Sequence, residues 1–222
     1  MTKKESVNEF TKKEISFLKS LNTPEKVQEF LDEIQYHRGR RLSIAEVFRK
    51  KTGDCIECAC LASYILRLNK IDSFLIDLYC FNDSDHVICV YKKNGYYGSV
   101  AHSFYVGLRN KSPAYKTLRE LVMSYFEHYF RLNGIFDLRK YSVPTRLPKK
   151  DGDWIFSKKF MYDFEVHIDS VKHISVLPNN FRVPKVSKAA FALEFIELPR
   201  EAKVSKEYQD VIKNVPRKDY PR

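Results

Sequence analysis

A cysteine and a histidine lie where the chain could build a thiol enzyme. Cys55 follows Gly53 and Asp54 at the predicted start of a helix, and His86 follows Asp85 on a later predicted strand. A thiol is a useful nucleophile only as the thiolate, and a helix N-terminus with a neighbouring imidazole lowers the pKa of a thiol. The pair therefore predicts a Cys–His thiol enzyme, provided that the fold brings the two residues together.

The elements around this pair are predicted to be helices followed by an antiparallel meander. Apolar spacing and helix-capping residues predict helices over these ranges: 5–21, 24–36, 43–51 and 55–68. Apolar runs and the hairpin signal Asn94-Gly95 predict strands over these: 72–80, 86–91 and 96–100. This order favours an α+β fold, in which N-terminal helices pack on an antiparallel sheet and Cys55 faces His86 across the cleft between the two layers.

The rest of the chain is predicted to contain one more helix and a β-rich extension. Ser112-Pro113 opens a helix over 114–132, and residues 141–153 have the composition of a loop. Further strands are predicted over three apolar segments: Phe164–Ile168, His173–Leu177 and Phe191–Leu198. The chain then divides into a core with the N-terminal helices, a β-rich extension of the same domain, and a polar basic tail: 1–145, 146–198 and 199–222.

The composition indicates a cytosolic globular protein. The 222 residues suit one large domain, with 44% hydrophobic and 30% charged residues. No apolar run approaches the roughly 20 residues that span a bilayer. The segment Met1–Ser6 is polar and lacks the apolar stretch of a signal peptide. We therefore expect a cytoplasmic protein without a membrane segment.

The five cysteines indicate free thiols. Their odd number, together with a cytosolic setting, argues against a disulfide framework. Cys55 and Cys58 form a CxxC pair, but no second pair follows, and Cys58 and Cys60 would face different sides of one helix, which disfavours a zinc site. The cysteines other than Cys55 are expected in the core: Cys58, Cys60, Cys80 and Cys89.

The positive charge of the chain is spread thinly. The formal net charge is +11, from 39 basic and 28 acidic residues. Basic residues are frequent in 138–160 and 200–222, but acids are mixed among them and no nucleic-acid-binding motif is present. A solvated basic surface is expected, with attraction to an acidic partner as a secondary option, and nucleic-acid binding is disfavoured.

The residues around Cys55 and His86 resemble the transglutaminase-like core of the papain-like superfamily. The similar stretches are Gly53–Ala59, Asp85–Tyr91 and Gly95–Tyr97, and the run Gly98–Arg109 with Ser112–Leu121 is similar to a bacterial branch of transglutaminase-like proteins. The resemblance covers about residues 25–145. It implies a cysteine at a helix start, a histidine on the sheet and an acidic residue on the next strand.

The resemblance also implies a reaction. Cys55 would attack an acyl carbon, His86 would act as its general base and pass the proton to the leaving amine, and the backbone N–H of Cys55 would donate to the oxyanion. The substrate class is an amide of a protein or peptide. Hydrolysis, as in a peptidase or amidase, and acyl transfer to an amine both remain open, and no cofactor and no metal are expected.

The acid expected on the strand after His86 is missing. Residues 99–104 read Ser-Val-Ala-His-Ser-Phe, without an aspartate or asparagine. His102 and Ser103 are the candidates in this segment that could orient the imidazole through a hydrogen bond. The missing acid supports an alternative: a catalytically degenerate transglutaminase-like domain that binds a protein partner.

Overall fold

The N-terminal part of the protein is helical. A computed structural model describes residues 9–37, 39, 41–81, 85–130, 133–178 and 180–195. Its first elements are α1 (Lys12–Ser20), α2 (Pro24–Asp32), β1 (Gln35–Tyr36), α3 (Ile44–Lys50), β2 (Thr52–Gly53) and α4 (Cys55–Leu68). The two short strands β1 and β2 pair in parallel. Side-chain caps at Thr11, Thr23, Ser43 and Asp54 begin the four helices, as the capping pattern of the sequence predicts for α2 and α3.

A six-stranded antiparallel sheet forms the centre of the molecule. Its strands are β3 (Ser73–Cys80), β4 (His86–Lys93), β5 (Tyr96–Val100), β6 (Lys111–Tyr115), β7 (Leu138–Ser142) and β8 (His173–Ser175). They lie in the order β6-β5-β4-β3-β7-β8. The hairpin predicted between β4 and β5 is confirmed, since Asn94 and Gly95 both have positive φ.

Three further helices complete the described part of the chain. They are α5 (Leu118–Phe126), α6 (Lys158–Ser170) and α7 (Lys188–Phe195), and short 3-10 turns span Val106–Leu108 and Asp153–Phe156. The α+β class is therefore confirmed. None of the helices in the described ranges combines the length and the apolar character needed to cross a bilayer.

Two hydrophobic cores cover the two faces of the sheet. Successive side chains of a strand face opposite sides. Leu75, Val87 and Cys89 lie in the core shared with α1 to α4 and α6. Ile76 and Ile88 lie in the core shared with α5. The central strands β3 and β4 are thus buried on both faces, which explains their nearly continuous apolar runs.

The predicted β-rich extension is wrong. The segment Phe164–Ile168 belongs to helix α6, whose buried residues Met161, Phe164 and Ile168 recur at three and four positions. Phe191 lies in helix α7, so the strand predicted from it is also wrong, and 196–198 lie outside the described residues. Of the three strands, only the one at His173 is present, as β8. The tail 199–222 also lies outside the described residues.

Two other boundaries differ from the prediction. The helix predicted over 114–132 begins at Leu118, because Thr117 caps it with its side chain, and Lys111–Tyr115 forms the edge strand β6. The predicted loop 141–153 begins inside a strand, since Tyr141 and Ser142 belong to β7. Both errors come from sheet pairing, which local sequence patterns do not contain.

A buried hydrogen-bond network ties α5 to the edge of the sheet. The Tyr125 hydroxyl donates to the carbonyl of Arg109 at 2.9 Å and lies 2.6 Å from the Ser99 hydroxyl. The Lys111 N–H donates to the same Ser99 oxygen at 3.2 Å. Tyr125 is fully buried, so its hydroxyl replaces water as the partner of these groups. The network fixes the chain just after the Val106–Leu108 turn.

We expect Tyr125→Phe to lower the free energy of unfolding by about 1–3 kcal/mol, because the Arg109 carbonyl loses its partner in a buried environment. Urea denaturation measures this change. Tyr96→Phe, at an exposed position of β5, is the matched control and should change stability by less than about 0.5 kcal/mol. Equal effects of the two substitutions would show that the buried network adds nothing to stability.

Candidate active site

The start of helix α4 is held by a reciprocal cap. The Asp54 carboxylate accepts from the Glu57 N–H at 3.0 Å, and the Glu57 carboxylate accepts from the Asp54 N–H at 3.0 Å. Gly53 precedes this cap because a Cβ there would lie 2.9 Å from both the Cys58 sulfur and the Val47 side chain. Cys55 is the first residue of the helix, as predicted.

Glu57 also fixes the chain that precedes α3. Its side chain is fully buried, and it accepts from the Leu42 N–H at 2.6 Å and from His37 Nε2 at 2.9 Å. Burial raises the pKa of Glu57, and Asp54 raises it further, while the N–H groups of Leu42 and Asp54 oppose the shift. The residue is therefore a structural anchor.

Arg41 connects the α4 cap to a distant helix. Its guanidinium donates to the Asp54 carboxylate and, through two nitrogens, to the Glu165 carboxylate of α6. Hydrogen bonding to Glu165 and the charges of Asp54 and Glu165 raise the pKa of Arg41 despite its burial. The start of α4 is thus attached to α3 through Glu57 and to α6 through Arg41.

The Cys55 thiol contacts the main chain of the β3–β4 connection. It donates to the Asp85 carbonyl at 3.9 Å. Burial raises the pKa of Cys55 to about 12 and the Asp54 charge adds to this, while the N–H groups of Val87 and Ile56 and the Arg41 charge act in the opposite direction. Burial away from water and the Asp54 charge raise the pKa of the thiol more than the helix N-terminus lowers it, so the thiol is neutral in this conformation.

The side chain of His86 lies on the face of β4 that is turned away from α4. It pairs with Leu78 and lies on the same face of β4 as Ile88, so its ring faces α5, with the ring centroids of Tyr125 and Tyr129 at 6.4 Å. Its Nε2–H donates to the Leu108 carbonyl at 2.8 Å. Burial lowers the pKa of His86 to about 4, and the Leu108 carbonyl opposes this shift. The ring is therefore neutral, with its proton on Nε2.

The two predicted site residues share one cavity. Cys55 and His86 both line a cavity of about 60 Å³, together with Asp85, Ser103 and His128. Most of the remaining wall is aromatic: Tyr36, Phe104, Tyr105, Tyr129 and Phe130. The structure records no hydrogen bond between the Cys55 sulfur and the His86 ring, and His86 Nδ1 has no hydrogen-bond partner in the described part of the chain.

The imidazole is oriented by a backbone carbonyl. His102 and Ser103, the candidates from the sequence, make no hydrogen bond to His86: both ring nitrogens of His102 are buried without a partner, and the Ser103 hydroxyl accepts from the Tyr105 N–H. The carbonyl of Leu108 contacts the ring instead. Sequence reasoning could not find it, because every residue carries a carbonyl and only the fold selects one.

The turn that carries this carbonyl is tightly packed. It spans Val106–Leu108, and a Cβ at Gly107 would lie 2.4 Å from the His128 ring. Any other residue at Gly107 would displace either the turn or His128. The position of the Leu108 carbonyl therefore depends on a glycine one residue before it.

The other four cysteines are core residues. Cys58, Cys60, Cys80 and Cys89 are buried and unbridged, which confirms their predicted structural role. Burial raises the pKa of the Cys89 thiol to about 12. In the described ranges, the group of side chains with spacing suitable for a metal contains aspartates only and no cysteine.

A second, larger cavity lies away from this site. It has a volume of about 520 Å³, and four basic residues line it: Arg67, Lys70, Arg146 and Lys149. The two guanidinium groups are paired with acids, Arg67 with Asp151 and Arg146 with Asp72. The predicted attraction to an acidic partner stays a prediction.

Comparison with known proteins gives no further guide. No protein-family model matches the chain, and no curated protein matches it. The functional argument therefore depends on the geometry of the site and on the sequence resemblance.

We expect Glu57→Ala to lower the free energy of unfolding by about 3–5 kcal/mol, because it leaves three donors without their acceptor and leaves a buried cavity. Glu57→Gln should cost less, since it keeps one acceptor oxygen. Urea denaturation measures both. Glu29→Ala, at an exposed position of α2, is the control. A Glu57→Ala effect no larger than that of the control would show that this carboxylate does not fix α4.

The neutral thiol of Cys55 predicts a steep pH dependence. Since the pKa of Cys55 is raised to about 12, its thiolate fraction and its iodoacetamide labelling rate should rise about tenfold per pH unit between about pH 6 and about pH 9. Mass spectrometry of the labelled peptide, in buffer with EDTA, gives the rate, and Cys55→Ala gives the background. A rate that levels off near about pH 7 would instead reveal a preformed thiolate–imidazolium pair.

Proposed function

We propose that the protein carries out cysteine-dependent acyl chemistry on an amide of a protein or peptide, with Cys55 as the nucleophile and His86 as the base. One observation supports this most directly. The thiol and the imidazole line the same cavity, and the Leu108 carbonyl holds the His86 proton on Nε2, which leaves Nδ1 able to accept a proton. The sequence resemblance to the transglutaminase-like core supports the same function.

The proposed reaction begins from two neutral groups. The Cys55 proton passes to His86 Nδ1 as the sulfur–carbon bond forms, and the backbone N–H at the start of α4 donates to the oxyanion. The carbon–nitrogen bond then breaks, and the imidazolium gives its proton to the leaving amine. Water or an amine resolves the acyl-enzyme. Substrate binding must bring the thiol and the ring together, since no hydrogen bond joins them beforehand.

A second candidate is a binding module derived from a catalytic fold. It is favoured by the position of His86, whose side chain faces α5 while the Cys55 thiol contacts the main chain of Asp85. The missing acid in residues 99–104 also favours it. In this alternative the aromatic cavity would bind a protein partner, and Cys55 would have the reactivity of an ordinary thiol.

Two reagents distinguish these functions. Acylation of Cys55 by a p-nitrophenyl ester is faster when a positioned base removes the thiol proton as the bond forms, whereas iodoacetamide reports the resting thiolate alone. For the enzyme, His86→Ala should slow ester acylation by roughly 100-fold or more and change iodoacetamide labelling less than about twofold. Mass spectrometry of the Cys55 peptide measures both rates.

The control replaces a histidine that does not line the cavity. His167→Ala, in α6, should leave both rates as in the unmodified protein, and Cys55→Ala should remove both adducts. If ester acylation at Cys55 is equally fast with and without His86, the base role is wrong and the binding module is the better account.

A further inference from the structure

Three carboxylates lie close together at the β3–β4 connection, the segment whose main chain contacts the Cys55 thiol. Asp77 lies in β3, Asp85 directly precedes β4, and Asp169 lies near the end of α6. One carboxylate oxygen from each lies within 4.8 Å of the others. Like charges this close repel each other, so a positive charge among the three carboxylates would be stabilising.

An independent observation at Asp77 points to a ligand. Its side chain is fully buried, and its Oδ2 lies 3.1 Å from His173 Nε2. Its Oδ1 is buried and has no hydrogen-bond partner. Buried carboxylate oxygens nearly always have a partner, because leaving one without water or a donor is costly. The orphaned oxygen therefore points to a group that binds it.

The other two aspartates leave room for that group. Asp85 Oδ1 accepts from the Cys80 N–H at 2.7 Å. Asp169 is exposed and has no hydrogen bond or ion pair in the described ranges, so the cluster is open to solvent on the α6 side. Arg41, whose charge acts on Asp169, already binds Asp54 and Glu165. Among the described residues, His173 is the basic side chain that contacts the cluster, through Asp77.

We propose that Asp77, Asp85 and Asp169 bind one calcium ion. The ligands are all carboxylate oxygens, which hard divalent cations prefer over nitrogen and sulfur. Three carboxylates within 4.8 Å of one another favour calcium, since magnesium usually keeps several waters and binds through one or two carboxylates. Water completes the coordination on the solvent side.

The ion would join three elements that are distant in sequence. It links α6 to both strands of the β3–β4 hairpin, and it binds the side chain of the residue whose carbonyl accepts from the Cys55 thiol. Its role is therefore structural. The expectation that the chemistry at Cys55 needs no metal stays a prediction.

Isothermal titration calorimetry of the EDTA-treated full chain with calcium chloride tests the site. We expect one calcium ion per chain, with affinity at least about tenfold weaker in Asp77→Asn and in Asp169→Asn. Asp163→Asn, which removes an acid on the same helix that pairs with Lys159 outside the cluster, should bind calcium as the unmodified chain does.

Two results would overturn the proposal: no binding up to millimolar calcium, or binding that Asp77→Asn and Asp169→Asn leave unchanged. Tighter binding of magnesium chloride than of calcium chloride would overturn the choice of calcium. Asp77→Asn changes a buried residue, so circular dichroism checks its fold. Should it fail to fold, the exposed Asp169→Asn decides the outcome. We expect calcium to raise the Tm of the unmodified chain but not the Tm of Asp169→Asn.

Discussion

The buried carboxylate of Glu57 is the constraint on which the site depends. A fully buried acid is tolerated only when donors surround it, and the N–H groups of Leu42 and Asp54 and the His37 ring supply them. These donors come from the chain before α3, from the residue before α4 and from the segment after β1. The first turn of α4 cannot move without breaking one of these contacts, and Cys55 is part of that turn.

The sheet determines what the thiol can reach. Strand alternation sends Val87 towards α4 and His86 towards α5, so the thiol of Cys55 contacts main-chain atoms while the imidazole is held by Leu108 on the far side. Both residues still line the same cavity, because His86 is the first residue of β4 and the Cys55 thiol contacts the carbonyl of Asp85 directly before it. The site therefore lies at one end of an interior strand, where the neutral thiol and the neutral imidazole share a cavity.

Local signals in the sequence predicted the local structure. The cap at Ser43, the helix start at Cys55 and the turn at Asn94 each depend on a few neighbouring residues, and each is present in the structure. Helix α6 was misinterpreted because Phe164, Val166 and Ile168 alternate with polar residues, a pattern that favours a strand. The orienting carbonyl of Leu108 and the aspartate cluster arise only when distant segments meet, so no local pattern contains them.

The Arg41 contacts have a consequence for synthesis on the ribosome. Arg41 and Asp54 emerge early, but the Glu165 carboxylate that completes the arginine's binding follows 124 residues after Arg41. Domains fold as units as the chain emerges. Until α6 has left the exit tunnel, Arg41 has no Glu165 carboxylate to bind. The thiol site is therefore assembled late in translation, although its two principal residues belong to the first half of the chain.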